Sequence, residues 1–247
     1  MRRRLTYLRS GTPKGVPYGA EMRKTLIGFT AVALVGFCLT TLSGSEGITI
    51  PPPARDAALA APGAPNKTAV VAAGCFWGIQ AVYQHVRGVK TAISGYAGGS
   101  ASTAEYRTVG TGRTGHAESV EVTYDPSRLT YGQLLRVFFS VAHDPTTLNR
   151  QGPDYGTQYR SAIFFNDSEQ EKIARAYIAQ LDAAHVFESR IVTEVTRLPG
   201  FYRAEDYHQD YATRHPSDMY IVINDAPKVV NLQKLFPDLY VGKPSSR

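Results

Sequence analysis

The stretch Thr68-Ala69-Val70-Val71-Ala72-Ala73-Gly74-Cys75-Phe76-Trp77-Gly78 contains the clearest structural signal in this chain. Its first six residues are apolar and predict a buried strand that ends before the glycine. The residues beyond it predict one buried face of a helix, because apolar side chains recur at helical spacing, at Ile79, Val82, Tyr83 and Val86. Cys75 is therefore expected in a strand-to-helix turn, at or near the N-terminus of the helix.

This position favours a reactive thiol at Cys75. Unpaired backbone N–H groups and the positive end of the helix dipole stabilise a thiolate, so we expect the pKa of Cys75 to be lowered. The alternative is a small buried core cysteine, the commoner fate of a free thiol. The flanking glycines and the turn position favour the reactive thiol.

The charge is distributed unevenly along the 247 residues. Of the 27 basic and 21 acidic residues, eight basic and three acidic residues precede Lys67, which leaves 19 basic and 18 acidic residues from Lys67 onward. The later part is nearly neutral and has no run of Lys or Arg, which argues against a nucleic-acid partner.

The first 66 residues resemble an export leader. Arg23 and Lys24 precede an uncharged apolar stretch, Leu26 to Leu42, which contains Cys38, and a Pro- and Ala-rich stretch follows. We predict a signal sequence or N-terminal membrane anchor at 1–45, a linker rather than a packed element at 46–66, and a folded domain at 67–247. The folded domain is then expected outside the cytoplasm, whether periplasmic, secreted or membrane-anchored. An organellar transit peptide is the alternative.

Strand and helix patterns alternate from Lys67 onward. Strands are predicted at 68–73, 91–96, 117–124, 161–165 and 191–195, and helices after Cys75, at 131–142 and from an Asn166/Asp167 cap to about 184. This order predicts an α+β fold, a single mixed α/β sandwich domain with a central, mostly antiparallel or mixed sheet and flanking helices.

Three further stretches combine polar and aromatic residues without periodicity. They are Tyr106-Arg107, Gly115-His116-Ala117-Glu118 and the long loop from His143 to Ser161, which contains Asp154 and Tyr159. A loop of this length with many hydrogen-bonding side chains is more often functional than merely connecting. Each residue also has a structural explanation: a strand-end charge for Glu118, structural hydrogen bonds for His116 and His143, an Asx turn for Asp154, and half-buried core packing for the tyrosines.

Together these stretches resemble the peptide methionine sulfoxide reductases of the A type. The matching segments are G-C-F-W-G at 74–78, G-Y-A-G-G at 95–99, Tyr106-Arg107, G-H-A-E at 115–118, Y-D-P at 124–126, H-D-P at 143–145, G-T-Q-Y-R-S at 156–161 and F-Y-R-A-E-D-Y-H-Q at 201–209. They occur in order from about Lys67 to Tyr240.

The resemblance implies a role for each matching residue. Cys75 would attack the sulfoxide sulfur as a thiolate and become a sulfenic acid. Glu118, kept protonated by an apolar pocket, would be the acid, Tyr106 and Tyr159 would donate hydrogen bonds to the sulfoxide oxygen, and Asp154 would organise that network. Phe76 and Trp77 would surround the S-methyl group. Family membership also implies the S epimer of methionine sulfoxide, in proteins or as the free amino acid, and repair of oxidative damage.

The tail departs from many family members, which carry resolving cysteines near the C-terminus. The stretch Asp218–Lys228 contains none. The resemblance then implies a single-cysteine subtype that acts without a cofactor and is regenerated by an external thiol, from a thioredoxin- or glutaredoxin-like protein or a small molecule. We expect a monomer.

Other functions remain open on the residues alone. Cys75 with His116, His143 or His208 as base would suit a hydrolase or acyltransferase, which would tolerate Glu118→Gln. A non-catalytic exported domain that binds methionine-rich segments through Phe76 and Trp77 would survive Cys75→Ser. A metal site at His208 and His215, two turns apart on one helix face, is the weakest alternative, because no second pair of ligands has recognisable spacing.

Overall fold

The computed structural model describes residues 47–245. The predicted signal or anchor at 1–45 lies outside the described residues, as does Cys38. Among the residues described, no helix is long and apolar enough to cross a membrane.

Eight strands and six α-helices make up the regular structure of the described part. The strands are β1 Lys67–Ala73, β2 Val89–Ala97, β3 Ala117–Tyr124, β4 Arg150–Gln151, β5 Asp154–Tyr155, β6 Ser161–Phe165, β7 Glu194–Arg197 and β8 Phe201–Arg203. The helices are α1 Phe76–Gln84, α2 Tyr106–Val109, α3 Tyr131–Val137, α4 Ser168–Ala183, α5 Tyr211–Arg214 and α6 Ala226–Leu235. Short 3-10 and π-helical turns join several of them.

Six strands form one mixed sheet in the order β7-β6-β1-β3-β2-β8, in which β6 and β7 pair in parallel and the other neighbours antiparallel. Strands β4 and β5 form a separate hairpin. The larger apolar core lies on one face of the six-stranded sheet, where β3 contributes Val120 and Val122 and α1, α3, α4 and α6 pack. The predicted mixed α/β domain is confirmed.

Most predicted elements have the expected bounds. Asp167 caps α4, as predicted, by accepting hydrogen bonds from the backbone N–H groups of Glu169 and Gln170. The helix predicted at 131–142 is α3 followed by a π-helical turn, Phe138–Ala142. Helix α1 ends at Gln84, earlier than predicted, because Val86 leaves the helix to form a bridge with Tyr240.

Two predictions need correction. The strand predicted at 191–195 is β7 at 194–197, because the backbone N–H of Ile191 donates to the Asp182 carboxylate, 2.9 Å away, instead of joining the sheet. The stretch 47–66 has no helix or strand, yet it is packed rather than a free linker. Ile50 is buried in the core, and the Asp56 carboxylate accepts a hydrogen bond from the N–H of Gly132, 2.7 Å away, near the start of α3.

Candidate active site

Cys75 occupies the predicted corner, as the residue before the first turn of α1. Gly74 makes the corner possible, because its φ is +80° and a Cβ there would lie 2.5 Å from the Gln151 side chain. The strand thus turns into the helix within two residues and leaves the Cys75 side chain 8% exposed.

A cavity of about 220 Å³ opens beside Cys75. Every residue that the sequence resemblance assigns to the site lines this cavity, together with one that it does not assign, Tyr220; the set is Cys75, Phe76, Trp77, Tyr106, Glu118, Asp154, Tyr159 and Tyr220. The structure therefore brings together side chains from α1, α2, β3, β5, a 3-10 turn and the C-terminal tail. Co-localisation on this scale favours a functional site over separate structural roles.

Glu118 lies on β3 with its side chain on the sheet face that α1 covers. It is 4% exposed, and its Oε2 accepts a hydrogen bond from the backbone N–H of Phe76, 3.2 Å away. Burial raises the pKa of Glu118 to about 8, a direction that the charges of Asp154 and Asp225 reinforce. The carboxyl group is therefore largely protonated at neutral pH, as predicted.

The predicted lowering of the Cys75 pKa is wrong for the free site. Burial raises it well above its usual value, and the carboxyl groups of Glu118 and Asp225 act in the same direction. The backbone N–H of Trp77 and the ammonium of Lys228 act in the opposite direction but do not outweigh the lost hydration. The resting site thus holds a thiol.

The tyrosine hydroxyls of the cavity also keep their protons. Burial raises the pKa of Tyr106 and of Tyr159, so both hydroxyls remain hydrogen-bond donors. The backbone N–H of Tyr106 is held by Glu205 Oε1, 3.0 Å away. Asp154 accepts a hydrogen bond from the Tyr220 hydroxyl, and burial raises the pKa of this carboxyl too.

An aromatic wall supports Trp77, and sequence reasoning missed most of it. The indole stacks on Tyr211, with ring centroids 3.8 Å apart and planes 11° apart, and meets Tyr220 edge-on at 5.9 Å. Its Nε1–H donates to His208 Nδ1, 3.2 Å away. His208 belongs to a matched motif and was considered only as a base or metal ligand, whereas Tyr211 and Tyr220 lie in short, irregular elements without periodicity.

The histidines proposed as bases have other partners. The His116 ring nitrogens contact the backbone N–H of Gly99 at 3.2 Å and the Ser100 carbonyl at 2.9 Å. The His143 ring nitrogens contact the Phe138 carbonyl and the Ser161 hydroxyl, and burial lowers the pKa of His143 to about 3. These contacts match the structural explanation of both residues.

His208 and His215 do not have the arrangement that the metal alternative requires. His208 ends a 3-10 turn, and His215 follows α5 after a break at Asp210, whose φ is +54°, so the two do not share a helix face. Within residues 47–245, no group of three or more His, Cys, Asp or Glu side chains is arranged to hold a metal ion.

Comparison with known proteins identifies the family. Residues 67–239 match the family described as "Peptide methionine sulfoxide reductase". This chain belongs to that family. The match covers the six-stranded sheet, the Cys75 corner and both sides of the cavity, so the sequence resemblance is confirmed.

Relatives and solved structures agree. The chain is 61% identical over 185 residues to the peptide methionine sulfoxide reductase MsrA 2 of Mesorhizobium japonicum, covering 75% of this chain and 94% of the relative. It is 50% identical to MsrA 2 of a Synechocystis species over 70% of this chain and 81% of the relative. Among solved structures, methionine sulfoxide reductase A of Corynebacterium diphtheriae matches with a TM-score of 0.54 and 35% identity, over 71% of this chain and 90% of that one.

Proposed function

We propose that this chain reduces methionine sulfoxide to methionine, in proteins and as the free amino acid, and thereby repairs oxidative damage. The observation that carries the proposal is that the single cysteine of the described residues and a protonated Glu118 line the same small, partly aromatic cavity. A sulfoxide needs a sulfur nucleophile and a proton for its oxygen, and these two groups supply them.

Cys75 is the nucleophile in this proposal. Because its pKa is raised in the free site, the thiolate forms as the sulfoxide binds and Cys75 Sγ attacks the sulfoxide sulfur. Glu118 protonates the sulfoxide oxygen and recovers a proton from the thiol. The attack forms a bond between Cys75 Sγ and the substrate sulfur. This bond and the S–O bond break as the protonated oxygen passes to Sγ, and methionine leaves with the electron pair. Cys75 is thereby oxidised by two electrons to a sulfenic acid, and the substrate is reduced by two.

The tyrosine hydroxyls stabilise the oxygen while negative charge develops there. Tyr106 and Tyr159 are half-buried donors that line the cavity with Glu118, which suits a small oxyanion-stabilising site. Asp154 organises the network by accepting the hydrogen bond of the Tyr220 hydroxyl. Phe76 and Trp77 accommodate the S-methyl group and exclude water, and the S epimer is the substrate that family membership implies.

An external thiol regenerates the enzyme. Cys75 is the single free cysteine within the described residues, and the tail that carries resolving cysteines in many relatives has none between Asp218 and Lys228. The sulfenic acid must therefore be reduced by another molecule, a thioredoxin- or glutaredoxin-like protein or a small thiol. No prosthetic cofactor is required for either half of this cycle. We propose that the enzyme acts as a monomer.

The site of action in this proposal is outside the cytoplasm. The charged pair Arg23-Lys24 and the apolar stretch that follows support an exported or membrane-anchored enzyme. Fusion of residues 1–66 to a reporter that is active only after export tests this directly: reporter activity supports export, and a reporter retained in the cytoplasm contradicts it.

Mass spectrometry after a single turnover tests the reaction. The protein is mixed with a peptide containing methionine S-sulfoxide and no reductant. We expect one methionine per enzyme and the mass of one oxygen atom added to Cys75. Turnover that persists in Cys75→Ser, or no turnover at all, would contradict the proposal and favour the hydrolase or binding alternatives.

A further inference from the structure

A second cavity, of about 350 Å³, also reaches Cys75. It shares Cys75, Asp154 and Tyr220 with the first cavity, but the rest of its lining differs. In place of the aromatic rings and Glu118 it presents polar and charged side chains, among them Gln151, Asn224 and Lys228. Two chemically distinct cavities are therefore lined by the same cysteine.

Lys228 is held in this second cavity by a buried partner. Its side chain is 12% exposed, and its Nζ lies 3.0 Å from Oδ1 of Asp225, which is fully buried. The pair lies directly on the first turn of α1, because a Cβ at Gly78 would be 2.1 Å from Asp225 Oδ1 and 3.0 Å from Lys228 Nζ. Burial of an ion pair is unfavourable unless its geometry is good, so a cation kept here beside Cys75 calls for a chemical explanation.

Reduction of the Cys75 sulfenic acid by an external thiolate explains why a cation is kept here. A thiolate displaces the oxygen of a sulfenic acid in line, so it must approach the sulfur from the side opposite that oxygen. In the proposed reaction the oxygen lies among Glu118, Tyr106 and Tyr159 in the first cavity. The attacking thiolate therefore does not enter from the first cavity, and the second cavity offers a different approach to Cys75.

We propose that the second cavity is the binding site of the reducing thiol and that Lys228, fixed by Asp225, attracts its thiolate. This inference rests on the proposed function. The thiolate forms a disulfide bond with Cys75 Sγ while the S–O bond breaks, and the oxygen leaves as hydroxide and takes up a proton to become water. A second thiolate attacks the reductant's sulfur and releases Cys75, so two thiols are oxidised to one disulfide.

Two cations at this cavity, Lys228 and Arg150, favour a thiolate. Two acids also line it: Asp144 is exposed and accepts hydrogen bonds from Thr146, and Asp154 accepts one from the Tyr220 hydroxyl. Lys228 is only 12% exposed, so solvent screens its charge less than that of Asp144. The volume admits a small thiol whole, or the cysteine side chain of a protein thiol. A small thiol and a protein cysteine both react through a thiolate. Experiments with one reductant of each kind distinguish them.

Two half-reactions, measured separately, test the proposal. Methionine formed per enzyme without reductant reports the first half, and its absence in the wild-type protein would overturn the proposed function and this inference together. The sulfenic acid is then mixed with 2-mercaptoethanol or with a reduced thioredoxin-like protein, and its loss is timed. If the sulfenic acid disappears with only one of the two reductants, that result shows whether the cavity accepts a small thiol or a protein thiol.

Asn224→Phe fills the second cavity, and Val222→Phe adds the same ring to an exposed neighbour that lines neither cavity. We expect Asn224→Phe to slow the thiol step at least roughly tenfold more than it slows methionine formation, whereas Val222→Phe changes neither step. Equal effects on both steps, or no effect on the thiol step, would overturn the proposal.

Small thiols of different charge test the role of the Lys228 ammonium without a bulky substitution. Per thiolate, an anionic thiol such as 3-mercaptopropionate should react faster than the cationic cysteamine in the wild-type protein, by about tenfold at low salt. Lys228→Met should abolish that preference and Lys228→Arg should retain it. A preference that is absent in the wild-type protein, or unchanged in Lys228→Met, would contradict the role of Lys228.

Discussion

The corner around Cys75 and the C-terminal segment 206–228 contribute to the same site in different ways. The corner lies between a regular strand and a regular helix, and its apolar periodicity positions Cys75 through local structure. The C-terminal segment consists of a 3-10 turn, the single turn of α5, a π-helical stretch and the start of α6. Side-chain hydrogen bonds join these pieces, such as the one from the Tyr211 hydroxyl to Asp218 at 3.0 Å. The nucleophile is thus placed by local structure, and part of its environment by a distant segment.

This difference has a functional consequence. Changes in the corner, or in β3 behind it, should remove a chemical step, whereas changes in the C-terminal segment should adjust the rate or the stability. Substitutions chosen in each region either confirm or contradict that division.

The largest loss is expected for Cys75→Ser. A serine hydroxyl is not a nucleophile toward sulfoxide sulfur, so methionine formation should fall by at least roughly 10⁴-fold. The assay is methionine released from a sulfoxide peptide in a single turnover. Cys38→Ser is the matched control and should leave the rate unchanged; a loss in the control would contradict the assignment to Cys75.

Glu118→Gln should lower the rate by about 10²- to 10⁴-fold, the usual contribution of a general acid. The wild-type rate should also fall as pH rises through about 8, because the raised pKa keeps the acid form below that pH and loses it above. Single-turnover rates between pH 6 and 10 show whether this descending limb exists. A Gln variant that keeps the limb would assign it to another group.

Tyr220→Phe should lower the rate by about tenfold, the equivalent of one net hydrogen bond. The change removes the donor to Asp154 and leaves the ring that meets Trp77 edge-on. Tyr155→Phe, exposed and adjacent to Asp154, is the control in the same rate assay. If both variants behave alike, the C-terminal segment does not influence the chemistry through this hydrogen bond.

Gly78→Ala should have the smallest effect, on stability, and tests the contact between the two regions. An added methyl group would meet Asp225 Oδ1 at 2.1 Å, so the carboxylate must shift, at a cost of about 1 to 2 kcal/mol in the free energy of unfolding. Urea unfolding measures it. Gly242→Ala, with no atom within 4 Å of its added methyl group, should be neutral, and a neutral Gly78→Ala would show that the contact is loose.

Much of the fold could be predicted because apolar spacing and caps report local structure. Strand β3 has its predicted bounds, and Asp167 caps α4 as expected. The packing of residues 47–66 could not be predicted, since a Pro- and Ala-rich composition gives no sign that Asp56 will reach the start of α3 or that Ile50 will enter the core. The strand at 191–195 was displaced by a side-chain hydrogen bond to Asp182, which strand periodicity does not report.

The candidate site divides in the same way. The family resemblance predicted seven site residues, and all seven line one cavity. It did not indicate Tyr220 or the Asp225–Lys228 pair, whose positions depend on packing against Asp154 and Gly78.

Local sequence was sufficient to place Cys75 between a strand and a helix, because strand and helix periodicity and a glycine turn depend on neighbouring residues only. Ionisation was decided by the tertiary structure. The helix N-terminus favours a thiolate, yet burial and the nearby carboxyl groups raise the pKa of Cys75, and burial keeps Glu118 protonated. The residues that exclude water from Cys75 and Glu118 come from several separate elements of the fold. The protonation state of the two groups therefore depends on the packing of the domain and not on neighbouring sequence alone.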